Sequence, residues 1–149
     1  RSPHGAMLRR MFSTEHPMHY SIAVVALLAT ALLPGLVHAA SPAGSWRLSS
    51  IPDLTKFDAS KTELTIAENG QASMTVGCNR MRSTATVGDG SLKFSPILTT
   101  RMNCLPPLME LEFVFQNAIG RAATYKTDGK TLTLIDASNN VVATFTRKD

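Results

Sequence analysis

Histidine is missing from most of this chain: His4, His16, His19 and His38 are its four histidines, and none follows. From Ala40 onward, imidazole is therefore excluded from general acid–base catalysis, from nucleophilic triads and dyads, and from transition-metal ligation. Cysteine is nearly as scarce, with Cys78 and Cys104 alone and no Cys-x-x-Cys spacing of the kind used for disulfide exchange. Basic clusters are lacking as well. From Ala40 onward twelve Lys/Arg, with no run longer than Arg147-Lys148, stand against ten Asp/Glu, a difference of +2, so much of the formal charge of +4 belongs to the front of the chain. That distribution argues against nucleic acid as a partner, because displacing counterions from phosphates needs clustered Lys/Arg. Tryptophan occurs once, at Trp46, where its large burial suits a core anchor.

What is present begins with IAVVALLATALL, Ile22 to Leu33, an apolar run too short to span a bilayer comfortably. Basic residues precede it, Pro34-Gly35 breaks it, and the small-residue run Val37-His38-Ala39-Ala40 follows. This order predicts a cleavable export signal in residues 1–39, cut after Ala39 or Ala40, and hence a periplasmic or secreted protein. Met7, Met11 and Met18 are each possible starts. No cysteine stands at the cleavage point to carry a lipid, so membrane contact is expected only through the signal before cleavage. Residues 40–149 are then one domain with one core, expected as a monomer.

The domain reads as hairpins. Trp46-Arg47-Leu48 opens a strand; Leu64 and Ile66 alternate with polar neighbours; Glu68-Asn69-Gly70 turns the chain; Ala72, Met74 and Val76 face one way on the return. Ser83 to Val87 and Leu92 to Phe94 flank Gly88-Asp89-Gly90 as a second hairpin, and Ile97 to Met102 holds a short further strand. After Pro106-Pro107, the residues Leu108, Leu111, Phe115 and Ile119 recur at helical spacing, with Gly120 as the expected C-terminal cap. Glu110 and Glu112 fall in the early turns, where the helix dipole favours negative charge; two residues apart, they do not face each other as a catalytic pair would. Leu132 and Leu134, then Val141, Ala143 and Phe145, alternate as two closing strands. The predicted class is α+β, mainly antiparallel β.

Gly77-Cys78-Asn79-Arg80, followed after one hairpin by Thr100-Arg101-Met102-Asn103-Cys104 and then by a helix with Met109-Glu110-Leu111-Glu112, resembles the META domain family of HslJ-like heat-shock proteins. The likeness runs from Trp46 to Phe145 and matches in order and spacing. It implies a partly open, barrel-like sheet with one packed helix, a place in the bacterial envelope, a link to stress, and no accepted biochemical activity.

Cys78 and Cys104 are expected to pair, since two cysteines in an exported chain most simply do. If the two stretches meet at one end of the sheet, their Cα atoms should lie at about 4.4–6.8 Å. The other roles open to them are a reactive thiolate beside Arg80 or Arg101, a metal site completed by carboxylates, and two buried free thiols. Arg80 and Arg101 either tie loops to carbonyls or to Glu110 or Glu112, or form a patch for an anion or partner residue. Asn79 suits a turn. The expected function is a non-catalytic binding or interaction module without cofactor or metal, its partner an envelope protein; the alternative is a barrel carrying a small apolar ligand, with a carboxylate-only enzyme ranked below both.

Overall fold

The computed structural model describes residues 40–149. The leader reading, with its apolar core 22–33, lies outside the described residues. Among these, no helix is long and apolar enough to cross a membrane.

The chain runs β1 (Gly44–Ser50), a short 3-10 turn (Ala59–Lys61), β2 (Thr62–Ile66), β3 (Gln71–Val76), β4 (Asn79–Val87), β5 (Leu92–Phe94), β6 (Leu98–Thr99), α1 (Leu108–Arg121), β7 (Ala122–Thr127), β8 (Thr131–Asp136) and β9 (Val141–Arg147). Eight strands follow one another in the order β5-β4-β3-β2-β1-β9-β8-β7, and β6 pairs with β4. All these ladders are antiparallel. The two ends of the sheet meet: Ser91 bridges to Thr124, and the Tyr125 N–H donates to the Gly90 carbonyl at 3.0 Å. The result is a nearly closed, barrel-like sheet with one helix, closer to closure than the partly open form expected.

Alternation places the core. On β3, Ala72, Met74 and Val76 turn inward and Gln71, Ser73 and Thr75 outward, as residues two apart on a strand must. Trp46 and Leu48 from β1, Leu64 and Ile66 from β2, and Leu132, Leu134 and Phe145 from β8 and β9 join them, each almost fully buried. Burial of such a side chain contributes about 1.5–3 kcal/mol. Into this interior α1 sends Leu111, Phe115, Ala118 and Ile119, and the Phe115 ring stands edge-on to Phe145 with centroids 6.2 Å apart. Trp46 lies beneath the Arg147 guanidinium, 4.8 Å from the ring centroid, and its Nε1–H donates to the Pro42 carbonyl at 2.9 Å.

Three local expectations need correction. Gly120 does not end the helix, which runs to Arg121 and turns directly into β7 with Ala122 extended at its C-cap. Val141 does not face inward with Ala143 and Phe145: a register shift between Leu134 and Ile135 leaves it exposed and buries Val142, and a like shift between Ala122 and Thr124 breaks the period of β7, a strand not expected at all. Finally, β4 begins at Asn79 and not at Ser83, so the whole stretch from the Gly-Cys turn to Val87 is one strand, while the strand expected over Ile97 to Met102 shrinks to Leu98–Thr99.

Candidate functional site

The two motif stretches and the start of the helix converge at one end of the sheet. Gly77 and Cys78 turn β3 into β4, and the turn requires φ of +62° at Gly77. A Cβ at Gly77 would stand 2.7 Å from Glu112 Oε1 and 3.2 Å from the Leu108 carbonyl oxygen, so glycine is needed both for the conformation and for the approach of the helix. Cys78 and Cys104 are joined by a disulfide with a Cα separation of 6.0 Å.

Asn79 is the centre of the arrangement. It is not a turn residue: it opens β4, and its side chain is buried. Its Oδ1 accepts from the Thr100 hydroxyl at 2.7 Å and from the Met102 N–H at 2.9 Å. Its Nδ2 donates to the Met102 carbonyl at 3.1 Å and to Glu112 Oε2 at 2.7 Å. One amide thus ties β4 to the Thr100–Cys104 loop and to α1. Thr100 adds two links to Arg80, donating its N–H to the Arg80 carbonyl and accepting the Arg80 N–H at its hydroxyl, each at 3.0 Å.

Glu112 is the residue that the sequence reading missed. It is buried, although its neighbour Glu110 is exposed as a helix-start carboxylate should be. Oε1 of Glu112 accepts the Cys78 N–H at 3.1 Å and lies 2.8 Å from Cys104 Sγ. A disulfide sulfur carries no proton, so the latter is a contact and not a hydrogen bond. A signal was available: Glu112 stands four residues after Leu108 and three before Phe115, on the apolar face itself.

The arginines behave differently. Both Arg80 and Arg101 are exposed, Arg80 on the outer face of β4 in register with Thr75, and the ion pairs among the described residues, Arg121–Asp53 and Lys148–Glu63, involve neither. The motif therefore divides: Gly77, Cys78, Asn79, Thr100 and Cys104 build the joint, whereas the side chains of Arg80, Arg101 and Met102 face solvent. A metal would find one cluster of donors among the described residues, Cys78, Cys104 and Glu112, whose ligand atoms lie within 4.8 Å of one another. Joined sulfurs offer no thiolate, so this set is closed to metal in the disulfide form. On the outer face of β2, β3 and β4, Thr65, Ser73, Arg82, Thr84, Ser95 and Leu98 line a surface groove of about 480 Å³.

A sequence profile of the META domain matches residues 39–149, the same stretch that carries the joint. The chain belongs to the META domain family. Solved structures repeat the META fold: a protein from Burkholderia xenovorans determined by NMR is 26% identical, with a TM-score of 0.57 over 70% of this chain and 81% of its own. A second NMR structure is 23% identical, with a TM-score of 0.55 over 70% of this chain and 88% of that one. The crystal structure of a DUF4847 family protein from Bacteroides vulgatus, at 13% identity, gives a TM-score of 0.51 over 76% of this chain and 97% of its own, a likeness of fold alone. No curated protein sequence matches the chain.

Proposed function

We propose that this META domain is an exported, non-catalytic binding module of the cell envelope, active in stress tolerance, that holds a protein partner on the apolar surface around the start of α1. The observation that carries the reading is the exposure of Met102 (57%), Leu105 (79%), Met109 (49%) and Phe113 (68%). Met109 and Phe113 are one helical turn apart on one face of α1, and Leu105 sits just ahead of them in the turn closed by the Leu108 N–H to the Leu105 carbonyl. Large apolar side chains gathered in this way mark contact surfaces, and methionine and phenylalanine are the types favoured there. Arg101, next to Met102, and Arg80, bonded through its backbone to Thr100, offer guanidinium forks at the rim to carboxylates of the partner.

The alternative of a carried apolar ligand finds less support, because Phe115, Phe145 and Trp46 occupy the interior where such a ligand would lie. Export is supported by the Ile22 to Leu33 run with its small-residue flank, and by a disulfide suited to an oxidising compartment. The carboxylate-only enzyme is disfavoured by the separation of buried Glu112 from exposed Glu110. Photo-crosslinking in intact cells tests the proposal. A crosslinker at position 113 should capture one envelope protein that a crosslinker at exposed Val141 does not, that Leu105→Glu abolishes, and that binds the purified domain. Identical captures from both positions, or none from 113, would overturn it.

A further inference from the structure

We propose that reduction of the Cys78–Cys104 bond opens a site for one borderline-soft divalent cation, typified by Zn²⁺, with the two thiolates and the Glu112 carboxylate as its ligands. The site is independent of the docking surface proposed above.

The position of Glu112 carries the inference. A buried carboxylate is costly unless a cation or donors compensate it, and among the described residues no ion pair reaches this one. Its oxygens are not equivalent. Asn79 Nδ2 holds Oε2 at 2.7 Å, and Oε1 is left beside the sulfur of Cys104 at 2.8 Å with a single backbone donor, the Cys78 N–H. This is how an outer group orients a metal-binding carboxylate: one oxygen is fixed and the other keeps a free lone pair toward the ligand cluster. Gly77 leaves the space that brings the carboxylate there, since a Cβ would meet Oε1.

The sulfurs fit the same centre. Zn–S bonds of about 2.3 Å at tetrahedral angles place two thiolates about 3.7 Å apart. A Cα separation of 6.0 Å accommodates that by rotation of the two side chains, with no displacement of β4 or α1. Two sulfurs and one carboxylate oxygen suit Zn²⁺ and leave a fourth position for water.

The chemistry balances with a dithiol as reductant. Its thiolate attacks the half-buried Cys78 sulfur, the S–S bond breaks, and Cys104 leaves as a thiolate that takes up the proton the reductant's thiol had released; the second thiol of the reductant resolves the mixed disulfide in the same way. The products are two cysteine thiols and the oxidised reductant, two electrons and two protons having passed to the protein. Zn²⁺ then displaces the two thiol protons, and with the Glu112 carboxylate the protein ligands bring the centre to a net charge of −1. Exchange with an oxidising disulfide, after metal loss, restores the staple.

Cobalt is the probe. The protein is reduced anaerobically with an immobilised phosphine, separated from it, and titrated with Co²⁺. The expected result is one Co²⁺ per chain with a thiolate-to-cobalt band in the near ultraviolet and tetrahedral d–d bands, displaced by Zn²⁺, while the oxidised protein gives no such spectrum. Glu112→Gln should weaken binding at least ~10-fold. Absence of the thiolate band from reduced wild-type protein, or equal affinity in wild type and Glu112→Gln, would overturn the site. Should Glu112→Gln fail to fold, ¹³C-carboxyl-labelled wild-type protein decides: one glutamate resonance shifted by zinc supports the proposal, and an unmoved set refutes it.

Discussion

Two carboxylates in this domain do similar chemistry in opposite surroundings. Glu112 accepts a backbone N–H from Cys78 and the amide of Asn79; Asp136 accepts the N–H groups of Ser138 and Asn140 and the amide of Asn140. The Asp136 bonds span two to four residues at an exposed hairpin tip, whereas those of Glu112 reach back 33 and 34 residues from a buried side chain of α1 to the start of β4 and the turn before it. One set shapes a turn that its own sequence already favours. The other fixes the relation of α1, β4 and the Thr100–Cys104 loop, elements that nothing local would hold together. Similar bonds therefore stabilise different things, and sequence separation with burial decides which.

The comparison breaks most readily at the staple beside the buried set. Cys78→Ser should lower stability by about 3–4 kcal/mol, the chain-entropy effect of a crosslink across a sequence separation of 26. Urea unfolding should move to a lower midpoint, followed by both tryptophan fluorescence and circular dichroism. Next in size is Asn79→Ala, expected to cost about 2–3 kcal/mol because it strips the buried Glu112 of its amide donor and unties Thr100 and Met102 from β4. A double-mutant cycle with Glu112→Gln should return a coupling of at least ~0.5 kcal/mol; additivity would show that the two side chains act separately.

Gly77→Ala tests the approach of the two elements and not their bonds. Its positive φ and the crowding against Glu112 predict a loss of about 1–2 kcal/mol. A thermal melt equal to wild type would show that the helix yields easily. The smallest effect belongs to the carboxylate of the hairpin tip. Asp136→Ala should leave the global midpoint nearly in place and raise amide exchange only at Ser138 and Asn140.

Acid sharpens this last contrast. The Asn140 N–H chiefly, helped by its side-chain amide and by the Ser138 N–H, holds the Asp136 carboxyl below the usual carboxylate range. A depressed folded value means that the contribution is complete above the unfolded value of about 3.9 and is lost as pH falls through the folded one. NMR exchange at the β8–β9 tip should rise in that window, and a tip unaffected down to the acid unfolding of the whole domain would remove the assignment.

Much of the architecture was legible because one sheet face is buried, which forces alternation on β2 and β3 and, short of their register shift, on Leu132, Leu134, Ala143 and Phe145 of β8 and β9. Where geometry departs from alternation, the pattern fails. Strand β7 carries a register shift, and β6 has only two residues, too few to show a period. At the site, Cys78 and Cys104 were legible as candidates because cysteine is rare and chemically distinctive. Asn79 was not, since asparagine at a turn and asparagine buried under three elements are the same letter. Glu112 was hidden by an assumption: charged residues near a helix start are usually solvated. Only the position of its partners, more than thirty residues away in the chain, reveals why this one is not.

The order of the strands has a consequence for the birth of the molecule. Strand β1 lies between β2 and β9, so the first strand of the domain pairs on one flank with the last. While the ribosome is still working toward Val141–Arg147, the tryptophan-bearing strand has a vacant side and the interior cannot shut. Such distant pairing makes folding late and comparatively slow. A nascent chain of this topology remains threadable until its final strand emerges, a property in keeping with the export proposed above.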